Sequence, residues 1–224
     1  ANYLWDWPKA EGHFQRALEL NPNCSPARQW YAEFLGEMGR IDDALATLEW
    51  ARAHDPLSRS IRATRAFVLW LGRRFDEAIA EVDQVLEIDP TYAMALIRLG
   101  VAYAGKGLYT DAVRAFRAAE VAAPELLDCI ALQGYAHARA GSRREALKQL
   151  NKLRRLARRR YVPAFLLATV YLGLGEQDKA LRFMEKEYDA RGWYLLLIGQ
   201  APQFDTLRSQ PRFQALVRRM NFPP

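Results

Sequence analysis

Residues 99–124 read LGVAYAGKGLYTDAVRAFRAAEVAAP, and this stretch keeps time with the rest of the chain. Ala112 stands in a series with Ala10, Ala44, Ala78, Ala146 and Ala180, each step being 34 residues. Pro124 stands in a second series with Pro22, Pro56 and Pro90, always 12 residues after an alanine. Two residue types held in one phase over most of a 224-residue chain mark an internal repeat, and a repeat of this length is one supersecondary unit that must stack on its neighbours to bury its apolar face.

The surroundings of each alanine say what the unit is. Ile41, Ala44, Leu45, Leu48 and Ala51 fall at three and four spacing, as do Phe75, Ala78, Ile79, Val82 and Leu86, and Tyr109, Ala112, Val113, Phe116 and Ala119. That period is an amphipathic α-helix. The alanine belongs where two helices approach most closely and a larger side chain would hold them apart. The proline belongs just past the helix end, where it forbids continuation at no cost in hydrogen bonds.

Gly39, Gly107, Gly141 and Gly175 each precede the alanine by five residues and predict a turn between two helices, since glycine reaches positive φ cheaply. Arg73 stands at that place in one repeat with Gly72 just ahead, which predicts a turn shifted by one residue. Before each turn a second helix carries a small residue: Ala32, Ala66, Gly100, Gly134 or Ala168. Ser25 with Pro26, Ser58 after Pro56 and Thr91 after Pro90 read as its N-caps.

With Leu99, Gly100, Tyr103, Gly107, Tyr109, Ala112, Phe116, Ala119 and Pro124 in place, the pattern resembles the tetratricopeptide repeat over residues 7 to about 190. The resemblance implies an all-α fold: a right-handed α-solenoid of helical hairpins closed by a C-terminal capping helix. On this reading residues 1–22 are a half repeat keeping only its second helix, with Tyr3 and Leu4 as a trace of the first. Residues 25–190 are five hairpins, and 191–224 are a capping segment. The opening Ala1 and the half repeat lead to the expectation of a fragment cut from a longer chain.

The period breaks at Trp193. The remainder, WYLLLIGQAPQFDTLRSQPRFQALVRRMNFPP, predicts an apolar helical run, a turn-rich stretch and an amphipathic helix bearing Phe213, Leu216, Val217 and Met220, a cap for the last hairpin. Phe204, Asp205, Leu207, Arg208, Ser209, Pro211, Arg212, Phe213 and Leu216 also resemble the closing segment of tetratricopeptide regions in bacterial winged-helix transcription regulators, adenylate cyclase-like proteins and serine/threonine kinases. In those families the repeats are a regulatory or interaction module.

In tetratricopeptide proteins the first helix of each hairpin lines a concave surface. Carried over by position, the lining is Gln29 and Glu33; Ala63, Phe67 and Trp70; Met94, Ile97 and Val101; Ala131, Tyr135 and Ala138; and Phe165, Thr169 and Leu172. A peptide-binding groove of Phe67, Trp70, Met94, Ile97, Val101, Tyr135, Phe165 and Thr169 suits an amphipathic helix or an apolar extended peptide, with aromatic anchors supplying most of the energy. It lacks the Lys, Arg and Asn set with which chaperone-binding relatives clamp a terminal carboxylate. The same residues can equally be satisfied by neighbouring helices or by the chain's own C-terminal segment.

Charge is concentrated in one place. Between Arg139 and Arg160 there are ten basic residues and one acid, Glu145, so this stretch carries +9 in a chain whose formal net charge is +6. Lys148, Lys152, Arg155 and Arg159 form one helix face opposite Leu147, Leu150, Leu153 and Leu156. The stripe is a solvated face or a contact for an acidic protein, for acidic lipid or for phosphates. Nucleic acid is disfavoured because no groove-reading motif is present. The absence of proline at Arg158, where the period calls for one, predicts a longer helix here.

Enzymatic readings find no support in the residues. His13, His54 and His137 stand in no metal or nucleophile constellation, and no phosphate-cradling glycine loop occurs. His137 reads as a packing residue. Asp42 with Asp43, and Asp76 with Glu77, complement helix dipoles. Cys24 and Cys129 suggest neither a disulfide framework nor zinc. No cofactor and no metal are expected, no apolar run reaches the roughly 18 residues of a membrane span, and a cytoplasmic location follows as the expectation. The reading is a non-enzymatic interaction scaffold for a protein or peptide partner, with self-association through the groove or the first repeat as a further expectation. Its alternative is a sensor arm of a regulator or kinase responding to a peptide or small ligand.

Overall fold

The computed structural model describes residues 5–222. Tyr3 and Leu4 lie outside them. Every regular element among the described residues is helical. A leading helix, α1 (Trp7–Leu20), is followed by five hairpins: α2 (Ser25–Glu37) with α3 (Ile41–His54), α4 (Arg59–Leu71) with α5 (Phe75–Ile88), α6 (Ala93–Gly105) with α7 (Tyr109–Ala122), α8 (Leu127–Arg139) with α9 (Arg143–Ala157), and α10 (Ala164–Gly173) with α11 (Gln177–Asp189). Two 3-10 helices, Trp193–Ile198 and Pro202–Leu207, lead to α12 (Pro211–Arg219). This is an α-solenoid of helical hairpins.

The periodic residues do what their sizes require. Ala44, Ala78, Ala112, Ala146 and Ala180 are fully buried, as are Ala32, Ala66 and Ala168. A Cβ at Gly100 would lie 2.3 Å from Phe116 Cε1, and one at Gly134 would lie 2.8 Å from Val170 Cγ2. Neither helix contact leaves room for a methyl group. Pro22, Pro56, Pro90 and Pro124 each stand two residues beyond a helix end.

All five hairpin turns close identically. The residue after the turn position donates its N–H to a carbonyl five residues back, as in Arg40 to Leu35 (2.9 Å), Leu108 to Tyr103 (2.9 Å) and Ser142 to His137 (2.8 Å). The expected one-residue shift at the second hairpin does not occur. Arg73 itself takes the left-handed conformation at φ 61°, where Gly39, Gly107, Gly141 and Gly175 take 76–82°, and Arg74 N–H donates to Leu69 at 2.8 Å. Gly72 serves closeness instead, since a Cβ there would meet Ile41 Cγ2 at 2.9 Å.

The N-cap expectations hold at one position of three. Ser58 caps α4 and accepts from Ile61 N–H, but Ser25 is already the first residue of α2, and Thr91 precedes the capping position held by Tyr92. Asp42, Asp43, Asp76 and Glu77 do occupy first turns. Helix α9 has 15 residues where α3, α5 and α7 have 14.

The chain divides into two compact units, Ala1–Val85 with Leu196–Pro224, and Leu86–Leu195. The tail is therefore shared. Its later part, expected as a cap on the last hairpin, is gathered with the opening helices. Trp7 Nε1 donates to the Met220 carbonyl at 2.8 Å, and the Trp7 ring stacks on Phe222 at 5.2 Å. The apolar run from Trp193, expected to be helical, is a 3-10 helix, Trp193–Ile198.

Candidate functional site

In the first unit, α2 and α4 are joined by a polar bridge: Gln29 Nε2 donates to Thr64 Oγ1 at 3.0 Å, and Ser60 Oγ donates to Gln29 Oε1 at 3.0 Å. Phe67 and Trp70 stack at 5.7 Å and are buried, at 2% and 4% exposure. The tail reaches the ends of both helices. Arg73 Nη2 pairs with Asp205 at 2.7 Å, and the space where Gly39 would carry a Cβ is taken by the Gln200 amide. Arg208 secures the tail's own turn by pairing with Asp205 and donating to the Gly199 carbonyl at 2.8 Å.

In the second unit the expected groove residues separate. Ile97 belongs to a buried cluster with Leu96, Ala119 and Cys129, and Val101 is buried as well. Phe165 is covered by Tyr194 with ring centres 5.4 Å apart, and the Tyr194 hydroxyl donates to Asp128 Oδ2 at 2.9 Å. Thr169 spends its hydroxyl on the Phe165 carbonyl at 3.0 Å. Met94, 37% exposed, and Tyr135, half-buried, remain reachable. Sequence reasoning missed Asp128 and Tyr194, because neither belongs to the periodic apolar set.

Titration follows burial. Burial pushes the Asp128 carboxyl up despite the Tyr194 hydroxyl, and it pushes the Tyr194 phenol up, with Asp128 adding to the effect. Burial also pushes the Cys129 thiol up to about 12, which keeps this thiol protonated at neutral pH. His137 is half-buried, and burial lowers its imidazole below the usual range. Among the described residues, no group of three or more His, Cys, Asp or Glu is placed to hold a metal ion.

The basic face of α9 is not uniform. Lys148 pairs with Glu145 at 2.7 Å, and Lys152 pairs with Glu120 at 2.5 Å, an acid from α7 that Gln133 also contacts. Arg155 and Arg159 are exposed and pair with no carboxylate among the described residues. The four residues expected as one patch are thus two neutralised and two unneutralised cations.

A stack of helical hairpins with small residues at its helix crossings defines a helical repeat protein. Residues 6–66 and 73–126 match models of the tetratricopeptide repeat, so this chain carries tetratricopeptide repeats. Its fold is similar to that of a thermophilic tetratricopeptide repeat protein of Thermus thermophilus (TM-score 0.61, 22% identity, 87% of this chain and 100% of that one). It is also similar to a tetratricopeptide repeat protein of Parabacteroides merdae (0.59, 16%, 96% and 93%). MamA of Desulfovibrio magneticus compares at 0.56 and 18%, over 70% of this chain and 88% of that one. At such identities the likeness is one of fold. A curated relative, the DnaJ homolog subfamily C member 7 homolog of Schizosaccharomyces pombe, is 29% identical over 128 residues. That match spans 50% of this chain and only 27% of the relative. No helix among the described residues is long and apolar enough to cross a membrane.

Proposed function

We propose that this chain is a protein–protein interaction scaffold without catalysis of its own, and that its first helices take an amphipathic peptide or helix from a partner. The observation that carries this reading is Tyr194. A side chain from outside the repeats lies on Phe165 and fixes itself to Asp128, which is how an aromatic anchor of a bound peptide would sit. Phe67 and Trp70 in the first unit, and Ile97, Val101, Phe165 and Thr169 in the second, are the floor of such faces, and Met94 and Tyr135 are the part a partner reaches first. Since Phe67 and Trp70 are buried, replacing them tests stability rather than capture.

The reading is tested through the tail. A labelled synthetic copy of residues 191–200, which carries Tyr194, is titrated against the wild-type chain and against Tyr194→Ala, which removes the ring that covers Phe165. The variant should take up the peptide at least about tenfold more tightly, because an intramolecular competitor at high effective concentration has been removed. Undetectable uptake by both, with helicity intact, overturns the reading.

The resemblance of Phe204–Leu216 to the tails of bacterial winged-helix regulators, cyclase-like proteins and kinases supports placing this module in a larger bacterial signalling protein of the cytoplasm. In the alternative it is that protein's sensor arm, answering to a peptide or small ligand. A winged-helix or kinase domain in the same polypeptide favours the sensor arm. Association of two copies is checked by sedimentation.

A further inference from the structure

The stretch LRRLARRRY, residues 153–161, closes the uneven basic face of α9, and its end coincides with a local irregularity of the repeat. The connections into α4, α6 and α8 take four residues each, whereas that from α9 into α10 takes six, 158–163. Helix α10 has 10 residues where α2, α4, α6 and α8 have 13. Its opening turn is absent, and a cavity of about 650 Å³ lies there, bounded by the end of α9, the connection, α10 and α11.

The two parts of this cavity differ in chemistry. Its apolar lining is the buried Ala164 and Leu167 with the half-buried Phe183. Its rim carries Arg154, Arg158, Arg160 and Lys186. The carboxylate at the site, Glu187, is 1% exposed and is occupied in accepting the Phe165 N–H at 3.2 Å. Arg154 is turned to the Tyr171 hydroxyl and ring. Arg158, Arg160 and Lys186 are exposed and pair with no carboxylate among the described residues, in contrast to Lys148 and Lys152 on α9. Tyr161, 73% exposed, stands at the mouth.

We propose that this cavity is a docking pocket for an acidic segment of a partner protein, in which an apolar side chain meets the apolar lining and flanking carboxylates meet Arg158, Arg160 and Lys186. Guanidinium groups pair bidentately with carboxylates, and a row of unneutralised cations raises the local concentration of an acidic partner. The apolar lining and single exposed aromatic separate this ligand from a nucleic acid. A single strand is held by cations that track its backbone and by successive stacking platforms, and here the cations ring one cavity. None of the cavity's lining residues belongs to the expected groove set, so the proposal does not rest on that reading.

The test uses the full chain and a fluorescein-labelled peptide of aspartates and glutamates around one central phenylalanine, read by fluorescence anisotropy at physiological salt. Comparison ligands are the same peptide with alanine at its centre and a single-stranded oligonucleotide of equal charge. The comparison variants are Arg158→Glu with Arg160→Glu, and, at the other end of α9, Arg144→Glu with Lys148→Glu. All four side chains are exposed, and circular dichroism checks that helicity is retained. The phenylalanine peptide should bind at least about fivefold more tightly than the alanine peptide and more tightly than the oligonucleotide. Reversal at 158 and 160 should weaken it at least about tenfold, and reversal at 144 and 148 by less than about threefold. The proposal is overturned by no binding to wild type, by equal binding of the two peptides, by equal loss in the two variants, or by the oligonucleotide proving the tighter ligand.

Discussion

In the first unit, which gathers the tail from Leu196 with the opening helices, Phe67 and Trp70 are buried, whereas in the second Phe165 is covered by Tyr194. The units also bury a glutamate by different means. Glu81, 5% exposed, lies between Arg62 at 3.2 Å and Arg65 at 2.5 Å. Glu187 accepts a backbone N–H near the start of α10 and has no paired cation among the described residues. Burial pushes the Glu187 carboxyl up. The contrast teaches that a repeat dictates which positions are apolar and leaves open what covers them.

Closure of the first unit should be the costlier to break. Trp7→Ala removes a buried ring, its stack on Phe222 and its bond to the Met220 carbonyl, and should lower stability by about 3–5 kcal/mol. Urea unfolding measures this, and the same variant should expose Arg208 to rapid tryptic cleavage. A loss below about 1 kcal/mol would show that the tail adds little to that unit.

In the second unit, Tyr194→Phe keeps the ring on Phe165 and takes the hydroxyl donor from the half-buried Asp128 carboxylate, a cost of about 1–3 kcal/mol. If chemical denaturation finds no cost, Tyr194 acts through its ring alone.

A smaller effect appears as a slope with pH. Because the folded-state pKa of Glu187 lies above its unfolded value, its favourable contribution is complete at pH below the unfolded carboxylate range and is lost as pH rises through the folded pKa. Glu187→Gln should therefore match wild type in acid and exceed it at neutral pH. Parallel denaturation midpoints at the two pH values would contradict this.

The smallest net change is expected at Arg73→Gly. Glycine relieves the left-handed conformation and loses a half-exposed ion pair with Asp205, so the two effects nearly cancel, within about 1 kcal/mol. A loss above about 2 kcal/mol would make that ion pair an anchor of the tail.

Much of this architecture was legible because steric demands recur. The alanines at helix crossings, Gly100 against Phe116 and the prolines past each helix end are local requirements that any neighbour of the same repeat imposes again. At Arg73 the glycine template hides a simpler rule: the turn needs positive φ, and a closed capping hydrogen bond can hold a non-glycine residue there. Thr91 fails as a cap because its hydroxyl is turned back to Asp89, donating to Oδ1 at 2.9 Å, and the helix starts one residue later. The pairing of Lys152 with Glu120 links acids and bases 32 positions apart, which no helical wheel places together.

By itself, then, the sequence determined the hairpin, its phase, its number and its apolar positions, because these rest on contacts between residues a few turns or one repeat apart. Only the tertiary structure decided that the tail from Leu196 joins the opening helices, that Tyr194 covers Phe165, and that a shortened α10 leaves a cavity ringed by Arg158, Arg160 and Lys186. The spacing of Phe213, Leu216 and Met220 states that α12 has an apolar face, and any apolar surface would satisfy it. Which surface it meets is settled by chain geometry and by partners such as Trp7, more than 200 positions away in the sequence.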